Sequence, residues 1–222
     1  TGEHLEGFKD HFPDIKLGLR AKFPEIQIRL YGRQENEEVL SDHMRSAAAW
    51  VQEKMGHRVF SLEGEPMPAV IGRLLSDRQE TLAVAESCTG GLISHWLTNV
   101  AGSSQYFLLG AVTYANESKI SVLDVSQETL DRYGAVHENT AREMADGVRR
   151  QAGATYGLAT SGIAGPDGGT EDKPVGTVCV GYAGPDRSFG RRLYFPFGKR
   201  LMNKQIFCMA ALDILRKALL GI

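Results

Sequence analysis

Cysteine is scarce in this 222-residue sequence: Cys88, Cys179 and Cys208 are the only three, and no two lie close together. So odd and sparse a set excludes a disulfide framework and a CxxC site, and fits reduced thiols in the cytoplasm, the expected compartment. The six histidines, His4, His11, His43, His57, His95 and His137, lack metal-ligand spacing, so no metal is expected. No apolar run reaches the ~18 residues of a membrane helix, and no membrane association is expected. Basic charge is not in excess either. The formal net charge is -2, and residues 1–80 carry 11 Lys+Arg against 14 Asp+Glu. That balance argues against a nucleic-acid partner. Signal-peptide pattern, internal repeat and low-complexity segment are all missing. The first residue is Thr1 rather than methionine, which reads as a piece of a longer protein.

With 42% hydrophobic and 23% charged residues, the chain reads as globular and long enough for one large domain and one small one. Residues 1–14 read as a short helix with Leu5, Phe8 and Phe12 at helical spacing. Ile15–Phe23 and Ile26–Leu30 alternate apolar and polar residues around Pro24, the pattern of a hairpin. Met44, Ala47, Ala48, Val51 and Met55 mark a helix closed by Gly56, and Arg58–Leu62 reads as a third strand. The expected first domain is therefore a small α+β unit over residues 1–64. Gly64-Glu65-Pro66-Met67-Pro68 separates it from residues 65–222. There strands and helices alternate, which predicts a three-layer α/β/α domain on a mainly parallel or mixed sheet. Strands are expected at 81–85, 108–114, 156–161, 175–183 and 188–195, and the last helix at about 199–220.

Ligands of such sheets bind beyond the carboxyl ends of the strands. Three turns carry chemistry there: Glu86–Gly91, Tyr114–Lys119, and the glycine-rich Gly162–Thr170. Ser87 and Lys119 meet if their strands are parallel neighbours. Serine needs a base, and no histidine lies in any of the three turns, so a Ser-His-Asp triad has nothing to be built from. A lysine serves if burial lowers its pKa. Lys119 is flanked by Ile120, Val122 and Leu123, and Tyr114 sits near enough to relay a proton. The plainer readings stay open: a helix merely capped by Ser87 or Thr89, a solvated Lys119, a core-edge Tyr114 and a structural glycine turn. Cys88 competes as nucleophile but lacks a histidine, and reads as a buried cysteine. The glycine loop is neither a Walker A nor a GxGxxG motif; its amides suit a phosphate or a carboxylate.

Five segments together resemble the CinA family of competence/damage-inducible proteins. They are AESCTGG at 85–91, AGSSQYF at 101–107, VTYANESK at 112–119, GAVHENTA at 134–141 and SGIAGPDGGTEDKPVGTV at 161–178. The resemblance covers residues 68–222 and is to the C-terminal, nicotinamide-nucleotide amidase domain; residues 1–64 resemble, more weakly, the KH-like middle domain. It implies hydrolysis of nicotinamide mononucleotide to nicotinate mononucleotide and ammonia, in pyridine-nucleotide recycling. The implied catalytic residues are Ser87, Lys119 and Tyr114, with no cofactor. Substrate contacts are expected from Thr89, Gly90, Gly91, Asn116, Gly162, Gly165, Gly168, Gly169, Thr170 and Arg200. The alternative is a non-catalytic nucleotide-binding or interaction module. The family's Gly-Asp-Arg with a later arginine is replaced here by Gly198-Lys199-Arg200 and Lys204. The expected partner is a small pyridine nucleotide. A homodimer and a further N-terminal domain in the whole protein complete the expectations.

Overall fold

A computed structural model of the chain describes residues 2–222. The chain divides between Glu65 and Pro66 into two compact units.

In the first unit a single 3-10 turn, Glu3–Leu5, precedes helix α1, Phe8–His11. One continuous helix over residues 1–14 does not form, because Gly7 takes φ +82° between the two pieces. Strands β1, Ile15–Lys22, and β2, Glu25–Gly32, pair antiparallel, with Leu17 opposite Leu30 and Leu19 opposite Ile28. Helix α2, Glu37–Met55, begins where the Asn36 side chain accepts from the amides of Glu38 and Val39. Its Ala47, Val51 and Met55 bury against Leu5, Phe8 and Ile15. The third strand expected at Arg58–Leu62 is not there. Gly56–Arg58 makes a 3-10 turn and the rest is irregular, while β1 and β2 pair only with each other. Val59 packs its side chain onto the core instead of entering a ladder.

The second unit holds a mixed five-stranded sheet in the order β4-β3-β5-β6-β7. The strands are β3, Leu82–Glu86; β4, Phe107–Val112; β5, Tyr156–Gly162; β6, Thr177–Ala183; and β7, Ser188–Tyr194. β3 runs parallel to β4 and β5, and β6 and β7 complete the sheet antiparallel. Every residue of β3 is buried, as the apolar run from Leu82 to Ala85 requires of a strand covered on both faces. The helices are α3, Met67–Asp77; α4, Leu92–Thr98; α5, Asn116–Leu123; α6, Gln127–Tyr133; α7, Glu138–Ala152; and α8, Arg200–Leu220. The segment Asn116–Lys119, read from sequence as a polar turn, is the first turn of α5. Lys119 and Leu123, one helical turn apart, are both buried, and that shared inward face explains the helix.

One face of the sheet is covered by α7, whose Met144, Ala145 and Val148 pack with Leu123, Ala83 and Ala159. The approach is backbone to backbone. A Cβ on Gly157, Gly181 or Gly190 would run into the main chain of Ala145, Ala141 or Glu138. The glycine row across β5, β6 and β7 is thus the groove that seats α7. Leu212 and Leu215 of α8, with no exposed surface, serve the opposite face. The chain leaves β3 through α4 to β4, then returns through α5–α7 to β5 on the other side of β3. This reversal makes the carboxyl end of β3 the topological switch point of the sheet, where a crevice opens.

Candidate active site

Ser87 is the first residue beyond β3, and its amide donates to Thr160 O at 2.9 Å on β5. Next to it, Thr113 leaves β4 with its amide on Glu86 O, also at 2.9 Å. The Ser87 turn, the Thr113–Asn116 segment and the end of β5 therefore meet at one edge, as the parallel register demands.

The turn is held by a group that sequence reasoning did not single out for this role. Glu86, with no exposed surface, accepts from the amides of Ile93 and Ser94 and from Ser94 Oγ at 3.1, 2.8 and 2.8 Å. It is the cap of α4, reaching across the turn to the helix start, where a carboxylate is favoured. Ser87 and Thr89, the caps of the plainer reading, do not fill that role. Thr89 Oγ1 instead pairs with Thr160 Oγ1 at 2.7 Å. Two consequences follow. The Ile93 and Ser94 amides at the start of α4 are occupied and not open to a substrate anion. The Ser87 hydroxyl is left without a hydrogen bond among the described residues, on a side chain close to fully buried.

Lys119 has no exposed surface. Its Nζ donates to the carbonyls of Thr113 and Tyr114 at 3.0 Å each, and to Ala115 O at 3.4 Å. A helical side chain leans toward the helix start, and these carbonyls lie immediately before α5. Burial lowers the Lys119 pKa; the charge of Glu117, and that of Cys88 only where it ionises, oppose the shift. No carboxylate forms an ion pair with it among the described residues, and Glu86 is committed to α4. The expected contact between Ser87 and Lys119 is not made, since all three donors of the ammonium are directed at carbonyls. Tyr114 also departs from expectation. Its ring is exposed, and its hydroxyl accepts from Arg200 at 3.1 Å rather than joining the serine and lysine. The cause is α8, which begins at Arg200 and brings a guanidinium to it.

Arg200 binds two turns at once, because its Nη1 also donates to Gly165 O at 2.7 Å. One helical turn on, Asn203 donates from Nδ2 to Ala164 O at 3.0 Å and Phe197 O at 2.8 Å. Sequence reasoning missed Asn203; a fully buried asparagine between Lys199 and Phe207 carries no pattern of its own. Gly162 lies against Cys88 and Val178, where a Cβ would clash. Gly165 and Gly168 sit at φ +82° and +87°, a region that suits glycine. Gly169 packs against Val175, and Thr170 closes the loop on Lys173 through its amide and its hydroxyl. Residues 166–170 are exposed, as is Asn116, for which the structure shows no side-chain partner. Gly90 and Gly91 take φ +60° and +89°. A Cβ on Gly90 would stand 3.4 Å from Lys204 Nζ, so the Lys204 ammonium reaches the turn from α8. Two buried polar atoms in these segments have no partner, Thr113 Oγ1 and Asn203 Oδ1.

Cys88 is a thiol at neutral pH, since burial pushes its pKa up to about 12. Among the described residues no group of His, Cys, Asp and Glu is placed to hold a metal ion, and no helix is long and apolar enough to cross a membrane.

Comparisons with known proteins find relatives of this chain. The family model for the CinA C-terminal domain matches residues 64–219. A CinA-like protein of Desulfosudis oleivorans is 52% identical over 220 residues, which are 99% of this chain and 53% of that protein. A putative competence-damage inducible protein of Symbiobacterium thermophilum is 43% identical, over 94% of this chain and 51% of its own length. The chain thus spans about half the length of the curated relatives it matches. Among solved structures, the competence/damage inducible protein CihA of Agrobacterium tumefaciens superposes with a TM-score of 0.66 at 36% identity. It covers 72% of this chain and 98% of its own.

Proposed function

The chain belongs to the CinA family, and on that premise we propose that it hydrolyses the carboxamide of nicotinamide mononucleotide, giving nicotinate mononucleotide and ammonia. The observation that carries this reading is the pair at the end of β3. Ser87 has a hydroxyl with no partner, and Lys119 is a buried amine without a carboxylate, its pKa lowered by burial. Ser87 Oγ attacks the carboxamide carbon. The serine proton passes to neutral Lys119, which hands it to the departing nitrogen, and ammonia leaves an acyl-enzyme. Water then attacks the acyl carbon; Lys119 takes its proton and returns it to Ser87 as nicotinate mononucleotide is released. For this the Lys119 amine gives up its longest contact, to Ala115 O, and turns to Ser87. Hydrogen bonds in an unliganded site commonly tighten only when substrate binds. The Gly91 amide of the Thr89–Gly91 turn is the donor for the oxyanion, the Gly90 amide being spent on Ser87 O at 3.1 Å. Arg200 and Lys204 supply positive charge for the phosphate.

One observation favours a second reading, a binding module without turnover. Three carbonyl acceptors around Lys119 favour its charged form, which cannot act as a base. The experiment is direct. The purified chain is incubated with nicotinamide mononucleotide, and ammonia and nicotinate mononucleotide are measured together, with Ser87→Ala as control. Equimolar products that vanish with Ser87→Ala support the amidase. Saturable binding without product supports the module.

A further inference from the structure

Asn203 stands in the first turn of α8, on the same face as Arg200, and its side chain has no exposed surface. Asparagine is mostly a surface residue, and a side chain of its shape in so buried a place is ordinarily apolar. A leucine there would leave no polar atom to satisfy. Asn203 leaves one, since its Oδ1 meets no partner among the described residues. What the amide offers over a leucine is its pair of donors. Nδ2 spans Ala164 O at 3.0 Å and Phe197 O at 2.8 Å. Both neighbours are acceptors, so the amide can sit only this way round.

The two carbonyls belong to different segments. Ala164 lies at the entry of the glycine loop, and Phe197 in the stretch that leads into α8. The loop entry is pinned from two sides. On the sheet side, the Ile163 amide donates to Thr177 O and the Gly176 amide to Ile163 O, at 2.8 Å each. On the helix side, the next two carbonyls go to α8, Ala164 O to Asn203 and Gly165 O to Arg200. Those two contacts differ in kind. The Asn203 bond to Ala164 is buried, whereas Arg200 is exposed and also holds Tyr114. A guanidinium at the surface is free to turn to a substrate phosphate. The buried amide has nowhere else to go, and it keeps the entry in place. Beyond Gly165 the loop runs exposed through residues 166–170 to the closure of Thr170 on Lys173. One buried side chain therefore sets where that exposed stretch stands relative to Arg200 and Lys204.

We propose that Asn203 is a positioning residue of this site. It holds the glycine loop against the start of α8, so that loop amides and the Arg200 and Lys204 cations form one seat for the phosphate end of the substrate. It touches no substrate itself. The inference rests on the amidase reading for the identity of the substrate, and on the two hydrogen bonds for the role.

The test compares two compounds that differ only in the phosphate, nicotinamide mononucleotide and nicotinamide riboside. Asn203→Leu keeps the forked shape and removes both donors. Its kcat/KM for the mononucleotide should fall about tenfold, mainly through KM, and that for the riboside less than about twofold. Without substrate, the Ile163 and Gly176 amides should exchange hydrogen at least about fivefold faster than in the wild type, while that of Val84 on β3 is unchanged. Asn203→Ser keeps one donor and should fall between; it carries the same comparison if the leucine variant does not fold. Equal losses on both compounds overturn the proposal, since a merely structural residue would produce them. So does an unchanged kcat/KM for the mononucleotide, or unchanged exchange at the loop entry. A wild-type chain that hydrolyses neither compound ends the amidase reading alone. Calorimetric affinities then replace kcat/KM with the same expectations, and a chain that binds neither compound overturns the proposal as well.

Discussion

Replacing Lys119 with methionine separates the two accounts of the site without any substrate. The side chains are similar in length, so the change removes charge and donors with little change in packing. The Thr113 carbonyl loses its lysine donor at a buried position. The Ala115 carbonyl keeps the Lys119 main-chain amide at 3.3 Å and Ser118 Oγ at 2.8 Å, and Tyr114 is exposed enough for water to reach its carbonyl. One buried acceptor left unsatisfied costs roughly 1–3 kcal/mol, and relief of the buried charge offsets part of that, so the expected loss is about 1–2 kcal/mol near neutral pH. The pH dependence decides more. Unfolded lysine titrates near ~10.4, and burial lowers the folded value. Between the two values the unfolded chain binds more protons, so wild-type stability rises with pH across that window, and is lost as pH falls through the folded pKa. Methionine binds no proton. The gap between wild type and Lys119→Met should therefore widen as pH rises toward ~10.4. Urea unfolding of both proteins, followed by circular dichroism at neutral and alkaline pH, measures it. A gap that narrows instead would mean that the carbonyls hold the ammonium charged. Burial would then not govern this lysine, and Lys119 could not serve as the base.

Ser87→Ala should remove turnover by about 10⁴-fold or more while nicotinamide mononucleotide still binds, and Cys88→Ala should keep most activity; ammonia release and calorimetric binding report the two. Nicotinamide riboside should show a much lower kcat/KM than the mononucleotide, because it cannot use the cations at Arg200 and Lys204; equal values would remove the phosphate from the site. Gly181→Ala should destabilise the fold by about 1–3 kcal/mol, since its Cβ would enter the Ala141 carbonyl of α7, and unchanged urea unfolding would show that α7 is not seated by the glycine row.

The fold of the second unit is legible from sequence because its signals are local and strong. The run from Leu82 to Ala85 is a strand buried on both faces. Gly153 ends α7 at φ +60°, where its position in the pattern places a helix stop. The errors fall where a local signal meets a tertiary demand. Arg58–Leu62 has strand composition but joins no sheet, because Val59 turns its side chain onto the first unit's core. Asn116–Lys119 has turn composition but is helical, because the chain must bury Lys119 one turn before Leu123. The glycines of β5, β6 and β7 look like weak points in strands. Their role appears only with α7 in place.

The site is legible to a different depth. Spacing and strand order were enough to bring Ser87, Lys119 and the glycine loop to one edge, because a parallel sheet collects the ends of its strands. Spacing could not say which polar group would serve which donor. Glu86 precedes the turn and would spoil the base by pairing with Lys119; the expectation is that it points away, without saying to what. It turns to Ile93 and Ser94, where a buried carboxylate finds two amides and a hydroxyl. That choice settles two others. With the α4 amides satisfied, neither Ser87 nor Thr89 is needed as a cap, and the Ser87 hydroxyl stays uncommitted. With that carboxylate turned away, no ion pair holds the Lys119 proton, and only the charge of Glu117 works against burial. A serine without a partner and a lysine without a carboxylate are the same fact seen from two sides of Glu86. The chemistry proposed for this edge therefore depends on a residue that never touches the substrate.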